Sequence, residues 1–264
     1  MNISNFTKKK DYLVCVDSDG CAIDSMDIKH INCFGPCAVE EWGLEESSEK
    51  FLKRWNEINL YSKTRGINRF KGLAIIMEEF NLPNCNDLKN WVNTTKALSN
   101  EELIAQNNDA FTKVISWSQK VNKAIKNLPM PKAFDGVLET LSTIYEKADI
   151  AIVSSANITA IEEEWIASGL LKYVSVILSQ NDGSKSECIK KLLTHGYLPE
   201  NVLMLGDALG DLEAATNNNV SFYPIIPGKE NESFSNLKIK SFDDFINKKL
   251  DDSHIQNFKN KLGL

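Results

Sequence analysis

Six polar side chains in this sequence could act together on a charged ligand. They are the carboxylates of Asp17, Asp19, Asp207 and Asp211, the hydroxyl of Ser154 and the ammonium group of Lys185. Crowded carboxylates raise one another's pKa unless a positive charge is present, and a divalent cation supplies that charge. Oxygen ligands in an incomplete shell suit Mg²⁺, while a lysine and a serine hydroxyl suit phosphoryl oxygens. The set therefore predicts a Mg²⁺ site for phosphoryl transfer.

Alternating strands and helices are predicted to position these side chains. Short apolar runs rich in Val, Ile and Leu predict strands at residues 12–16, 149–153, 174–178, 202–205 and 220–226. Such runs are typical of parallel strands that are buried on both faces. Helical patterns occupy residues 136–147, 159–168 and 185–194. Capping boxes are predicted at Thr159 with Glu162 and at Ser184 with Glu187.

The six side chains fall where the predicted strands end or where the following helices begin. Asp17, Ser154 and Asp207 directly follow "YLVCV", "DIAIV" and "VLMLG", and Lys185 opens a helix. Ligands of a doubly wound parallel sheet bind outside the carboxyl ends of its strands. We therefore expect these groups to meet at one edge of a single α/β sheet.

A helical insert interrupts this α/β pattern. Residues 26–128 have few β-branched runs and many helical periods, and Ser99 with Glu102 suggests another capping box. The motif "LPMP" at residues 128–131 marks the end of the insert, because the residue before a proline is disfavoured in a helix. The predicted organisation is an α/β core at residues 1–25 and 129–264 with an inserted helical domain at residues 26–128.

The motifs "DSDG" after the first strand and "GDALGD" after a later one, together with Ser154 and Lys185, resemble those of the haloacid dehalogenase superfamily of phosphohydrolases. The resemblance covers residues 12–25 and about 134–228. It implies a Rossmann-like parallel sheet core. Asp24 and Ser25 also fit the pattern of phosphoglycolate-phosphatase-like members, in which such a pair leads into a helical cap. The one departure is Cys21, where the family commonly has Thr or Val.

The resemblance also implies a role for each candidate residue. Asp17 would be the nucleophile that forms an aspartyl-phosphate. Asp19 would protonate the leaving oxygen and then activate water. The Asp17 side chain, the Asp19 backbone carbonyl and Asp207 would bind Mg²⁺, and Asp211 would bind or orient it. Ser154 and Lys185 would bind the phosphoryl group, with Lys172, Lys190 and Lys191 as nearby alternatives to Lys185.

The leading functional hypothesis is a Mg²⁺-dependent phosphoric monoester hydrolase acting on a small phosphorylated metabolite. True dehalogenases lack an acid two residues after the nucleophile, so Asp19 favours an oxygen leaving group over a halide. A β-phosphoglucomutase-like mutase would share every core residue. A phosphoacceptor signalling module also uses aspartates and a lysine around Mg²⁺, but it has no large helical insert.

Composition narrows the possible partners. The 264 residues carry a formal net charge of −6, which argues against nucleic acid and anionic membrane partners. Leu13–Val16 is too short for a secretion signal, and no apolar segment approaches the roughly 20 residues of a membrane helix. The six cysteines form no disulfide pattern. We therefore expect a cytoplasmic monomer or small homo-oligomer.

Two further groups in the insert have less specific patterns. His30, Cys33 and Cys37 offer only three metal ligands and are interpreted as packing residues. The segment at residues 61–72 concentrates Lys63, Arg65, Arg69 and Lys71. It is expected to be either a solvated helix end or a patch that binds a second anionic group of the substrate.

Overall fold

The computed structural model describes residues 3–95 and 97–263, which form two compact units. Unit 1 comprises the chain up to Ser25 and from Met130 onward, and unit 2 is Met26–Pro129. The two segments of unit 1 that flank unit 2 in sequence are paired. Asp24 N donates to Lys132 O at 2.8 Å, and Phe134 N donates to Ala22 O at 3.1 Å. Unit 1 is therefore continuous in space although unit 2 interrupts it in sequence.

Unit 1 contains a five-stranded parallel sheet. Its strands are β1 (Tyr12–Val16), β2 (Ala148–Val153), β3 (Val176–Leu178), β4 (Val202–Gly206) and β5 (Ser221–Pro224). The strand order is β3-β2-β1-β4-β5, and every neighbouring pair is parallel. The predicted α/β fold is confirmed, with β1 at its predicted bounds and the other strands within two residues of theirs. The order places β1 at the centre, with β2 and β4 on either side.

Side chains of the central strands alternate between two hydrophobic layers. In β1, Val14 and Val16 pack in one layer and Leu13 and Cys15 pack in the other, all fully buried. Burying a Val or Leu side chain contributes roughly 1.5–3 kcal/mol relative to exposure, so both layers stabilise the sheet. A strand buried on both faces has no need of polar residues until it ends. This explains the continuous apolar run before Asp17.

Helices make up the remaining regular structure. In unit 2 they are α1 (Met26–Lys29), α2 (Gly35–Trp42), α3 (Ser48–Leu60), α4 (Arg69–Glu79), α5 (Cys85–Thr94), α6 (Asn100–Ala105) and α7 (Thr112–Lys126). In unit 1 they are α8 (Val137–Lys147), α9 (Ile158–Ala167), α10 (Lys185–Leu193), α11 (Leu209–Asn217), α12 (Glu230–Asn236), α13 (Phe242–Ile246) and α14 (Ser253–Lys261).

One predicted helix start is wrong, and another is confirmed. The cap of α9 is Asn157, whose side chain accepts a hydrogen bond from Thr159 N at 2.9 Å, so Thr159 and Glu162 do not form the predicted box. Asn157 has an extended backbone, as a capping residue requires, and α9 begins one residue earlier than predicted. The predicted box of Ser184 and Glu187 is present and starts α10 at Lys185.

Unit 2 has its own hydrophobic core, in which large aromatic side chains predominate. Trp55 and Trp117 are fully buried, and their rings meet edge to face at 5.9 Å. The Trp55 indole N–H donates to His30 Nδ1 at 3.2 Å, and the His30 ring stacks on Phe34 with centroids 4.6 Å apart. The geometry at His30 is that of a packed side chain.

The basic segment at residues 61–72 is not uniformly solvated. Arg65 is buried and donates to Leu60 O at 2.9 Å, whereas Lys63 and Lys71 are exposed. Arg69 lies over the Phe34 ring, 4.9 Å from its centroid. The expectation of a solvated helix end is therefore wrong for Arg65, whereas Arg69 is half-buried.

Candidate active site

Three buried carboxylates meet at the carboxyl edge of the sheet in unit 1. Asp17 follows β1, Asp207 follows β4, and Asp211 lies in the first turn of α11. Each contributes an oxygen to a group in which the oxygens lie within 4.8 Å of one another. Within residues 3–95 and 97–263, no other group of three or more acidic, histidine or cysteine side chains is close enough to hold a metal ion. An all-oxygen set of this kind fits Mg²⁺.

The parallel register explains why residues so distant in sequence converge. Val16 pairs with Ile152 of β2 on one side and with Leu205 of β4 on the other. Continuing that register by two residues places Ser154 and Asp207 level with the loop that begins at Asp17. On the β4 side the backbone hydrogen bonding continues past β1, because Asp17 N donates to Leu205 O at 3.0 Å.

Lys185 connects two of the carboxylates. Its Nζ lies 2.8 Å from Asp17 Oδ2 and 2.6 Å from Asp211 Oδ1. The Lys185 side chain is only 15% exposed, so these ion pairs are largely shielded from solvent. Lys185 is at the first position of α10, and its place beside Asp17 is therefore set by the Ser184 cap. Of the lysines considered from the sequence, Lys185 is the one that the structure brings into this cluster.

Burial governs the protonation of the cluster. It raises the pKa of Asp17 to about 6, opposed by the charge of Lys185 and reinforced by Asp207. Burial likewise raises the pKa of Asp211, again opposed by Lys185. For Lys185, burial alone would lower the pKa, but Asp17 and Asp211 outweigh it and raise the pKa above its usual value. The ammonium group therefore remains charged at neutral pH.

Asp19 occupies a more open position than the three clustered acids. It is partly exposed, and its Oδ1 accepts a hydrogen bond from the hydroxyl of Ser25, which is fully buried. Partial exposure suits an acid that exchanges a proton with substrate and water. The structure thus separates buried Asp17 from accessible Asp19, although only one residue, Ser18, lies between them in sequence.

Asp211 is held so closely that it requires a glycine beside it. Its Oδ2 accepts from Ala208 N at 3.1 Å, while its Oδ1 faces Lys185. A Cβ added at Gly206 would collide with the Asp211 carboxyl. Sequence reasoning did not single out Gly206. The only available signal was its place directly before Asp207 at the end of a strand.

Ser154 and Cys21 complete the predicted surroundings. Ser154 is 3% exposed, and its Oγ accepts from Ala156 N at 3.2 Å, which leaves its own proton for an anionic acceptor. Burial raises the pKa of the Cys21 thiol well above its usual value, and the charges of Asp207 and Asp17 add to the increase. Cys21 therefore stays protonated and does not compete as a thiolate ligand.

The fold and the site define an α/β protein of the kind that binds its ligand at the carboxyl ends of parallel strands, here beside a cluster of acids and a lysine. The family model of the haloacid dehalogenase-like hydrolases matches residues 68–225, which is more than half of the chain. This protein belongs to that family. The comparison with curated proteins gives no match.

Solved structures share the fold at low sequence identity. A predicted phosphoglycolate phosphatase from Haemophilus somnus has a TM-score of 0.55 and 16% identity, over 86% of this chain and 96% of its own. A proposed β-phosphoglucomutase from Thermotoga maritima has a TM-score of 0.53 and 16% identity, over 86% and 99% of the two chains. A haloacid dehalogenase-like hydrolase from Streptococcus pneumoniae has a TM-score of 0.53 and 14% identity, over 84% and 90%. These structures support the α/β architecture.

None of the helices formed by the described residues has the length and apolar character required to span a membrane.

Proposed function

We propose that this protein is a Mg²⁺-dependent phosphatase that hydrolyses a small phosphorylated metabolite through an aspartyl-phosphate at Asp17. The observation that carries the proposal is the buried cluster of Asp17, Asp207 and Asp211, with Lys185 in contact with two of its members. Membership of a hydrolase family supports the reaction class.

The acidic cluster has the donors that a resident Mg²⁺ would need. Asp17, Asp207 and the Asp19 carbonyl are the proposed ligands. Asp211 is proposed to bind the ion or to orient its ligands from beside them, since its Oδ2 accepts from Ala208 N and its Oδ1 faces Lys185. When bound, Mg²⁺ would offset negative charge on the carboxylates and on the phosphoryl oxygens.

Asp17 is held in one orientation for attack on phosphorus. Its Oδ1 accepts from Ser18 N at 2.8 Å, and its Oδ2 faces Lys185 Nζ. Holding the carboxylate from both sides reduces the entropy that would otherwise be lost on reaching the reactive geometry. A carboxylate oxygen of Asp17 attacks phosphorus, and the bond from phosphorus to the substrate oxygen breaks. The phosphoryl group is thereby transferred to Asp17.

Asp19 supplies and removes the proton. In the first step its carboxyl group donates a proton to the leaving alkoxide. In the second its carboxylate takes a proton from the water that attacks phosphorus, the bond from phosphorus to Asp17 breaks, and inorganic phosphate leaves. The Ser25 hydroxyl, which donates to Asp19 Oδ1, sets the carboxyl's orientation. Ser154 and Lys185 contribute a donor and a fixed positive charge to the phosphoryl oxygens.

Unit 2 is proposed to act as a cap domain that limits the access of water while the phosphoenzyme forms. Its all-helical content in the described residues and its separate aromatic core suit a body that folds and moves as a unit.

A phosphatase assay tests the proposal. Wild-type protein is offered p-nitrophenyl phosphate with Mg²⁺ or with EDTA, beside Asp17→Asn and a control, Asp11→Asn. Asp11 lies just before β1 with 85% of its side chain exposed, so the control changes an acid at the other end of the same strand. We expect turnover that requires Mg²⁺, is lost in Asp17→Asn and is retained in Asp11→Asn. Full activity in EDTA or in Asp17→Asn would refute the proposal.

A panel of phosphometabolites then identifies the substrate class. Release of inorganic phosphate from one compound supports a phosphatase. Isomerisation of a sugar 1-phosphate without net release would instead identify a mutase, which shares the same core residues.

A further inference from the structure

A buried hydrogen bond connects α9 to the loop that carries the two proposed catalytic acids. The indole N–H of Trp165 donates to Ser18 Oγ at 2.9 Å, and both residues are fully buried. A buried indole N–H without an acceptor would be destabilising, so this contact constrains both partners. The two residues are 147 positions apart, so the contact joins distant parts of unit 1.

Ser18 is well placed to transmit this constraint. Its backbone N–H donates to Asp17 Oδ1 at 2.8 Å. Its carbonyl accepts from Ile23 N at 2.9 Å and from Cys21 N at 3.3 Å, which closes the turn after Asp19. One residue thus orients the carboxylate of Asp17 and supports the turn that presents Asp19. A shift of Ser18 would displace both acids.

The other end of the hydrogen bond lies on the element that follows Ser154. Only residues 155–157 separate Ser154 from α9, and Asn157 caps that helix. The Trp165 ring is packed in the same core layer as Val16 and Ile161. Packing therefore keeps the indole in place. Through its hydrogen bond, the indole fixes the position of the Ser18 loop relative to α9, the helix that follows Ser154.

We infer that Trp165 is a positioning residue for the reaction. Its hydrogen bond to Ser18 holds the carboxyl groups of Asp17 and Asp19 in the positions that the reaction requires. The inference rests on the proposed phosphatase function. The Ser18 hydroxyl is the specific acceptor, because an apolar side chain at position 18 would fill the same space without fixing the loop to α9.

A double-mutant cycle tests the inference. Trp165→Phe removes the indole N–H and keeps an aromatic ring, and Ser18→Ala removes the acceptor without enlarging the side chain. The control is Tyr223→Phe, which removes a buried hydroxyl that donates to Ser233 O at 3.0 Å in the same unit. For each variant, kcat and KM for p-nitrophenyl phosphate with Mg²⁺, inhibition by inorganic phosphate and urea unfolding are measured.

We expect kcat to fall about tenfold in each single variant, because displaced reacting groups lose rate faster than affinity. KM and the inhibition constant of phosphate should stay within about twofold, since Ser154 and Lys185 are untouched. The double variant should be no slower than the slower single variant, as expected for two ends of one interaction. Tyr223→Phe should lose stability and keep kcat.

Three outcomes would overturn the inference. They are full kcat in both single variants, kcat losses that add in the double variant, and a loss of kcat in Tyr223→Phe that tracks its loss of stability. If Trp165→Phe does not fold, Ser18→Ala makes the same test without altering the core layer. Absence of Mg²⁺-dependent turnover in the wild type would instead refute the proposed function, and the inference with it.

Discussion

Mg²⁺ should stabilise this protein strongly at neutral pH and weakly at acidic pH. Burial raises the pKa of Asp17 from 3.8 to about 6, and it raises the pKa of Asp211 in the same direction. Between about pH 4 and pH 6, the metal-free folded chain therefore holds more protons on these carboxyls than the unfolded chain does. Its free energy of unfolding falls as the pH rises through this interval and stays low above it. For one carboxyl the loss is on the order of 3 kcal/mol.

Mg²⁺ binds the deprotonated carboxylates, so the stabilisation that it provides increases as the pH rises. At a Mg²⁺ concentration about 100 times its dissociation constant, binding to the folded chain alone adds about 2.7 kcal/mol. For a chain of this size, that corresponds to a rise in Tm on the order of 5–10 °C at pH 7.5. At pH 5 protons compete for Asp17 and Asp211, and the rise should be small.

Thermal unfolding in EDTA and in MgCl₂ at the two pH values measures the effect. Asp207→Asn removes one proposed ligand and should abolish the Mg²⁺-dependent rise at pH 7.5, whereas Asp11→Asn should keep it. An equal rise in Asp207→Asn, or a larger rise at pH 5 than at pH 7.5, would refute the assignment of the cluster as the metal site.

Two substitutions test how the surrounding structure supports the site. Gly206→Ala places a Cβ against the Asp211 carboxyl and should lower kcat/KM by more than tenfold and stability by roughly 1–3 kcal/mol. Gly210→Ala has nothing within 4 Å of its added Cβ, so it should keep kcat/KM and should not lower stability; equal losses in the two variants in kinetics and urea unfolding would contradict the argument. Asp149→Asn should destabilise the protein by about 1–3 kcal/mol in urea unfolding and leave kcat unchanged. The reason is that Asp149 Oδ2 accepts from Lys9 N, Lys10 N and the Tyr197 hydroxyl at 2.6–2.9 Å, and unchanged stability would show that these bonds contribute nothing.

The sequence was sufficient for features that depend on local pattern. The run of residues 12–16 is apolar, short and ended by Asp17, and these properties predicted a buried strand at its observed bounds. Ser184 with Glu187 predicted the start of α10, and thus the position of Lys185. The register of parallel strands then brings their carboxyl ends together without any further information.

Features that depend on distant contacts could not be predicted in this way. Nothing local to Ser18 or Trp165 indicates a bond across 147 positions. The start of α9 was misplaced because Asn157 and Thr159 are both capable caps, and the structure uses Asn157. Burial of Arg65 could not be predicted either, because its neighbours in sequence are polar and the packing of unit 2 decides its exposure.

The charge balance of the site links metal binding to substrate binding. Asp17, Asp207 and Asp211 carry three negative charges when ionised, and Lys185 offsets one of them, so two buried negative charges remain. A phosphate monoester dianion would meet strong repulsion at such a site. One divalent cation removes the excess, so Mg²⁺ should be needed for phosphate to bind as well as for turnover. Inorganic phosphate should therefore bind measurably in calorimetry with MgCl₂ and not in EDTA, and equal affinity in both would show that Lys185 and Ser154 are sufficient for phosphate binding.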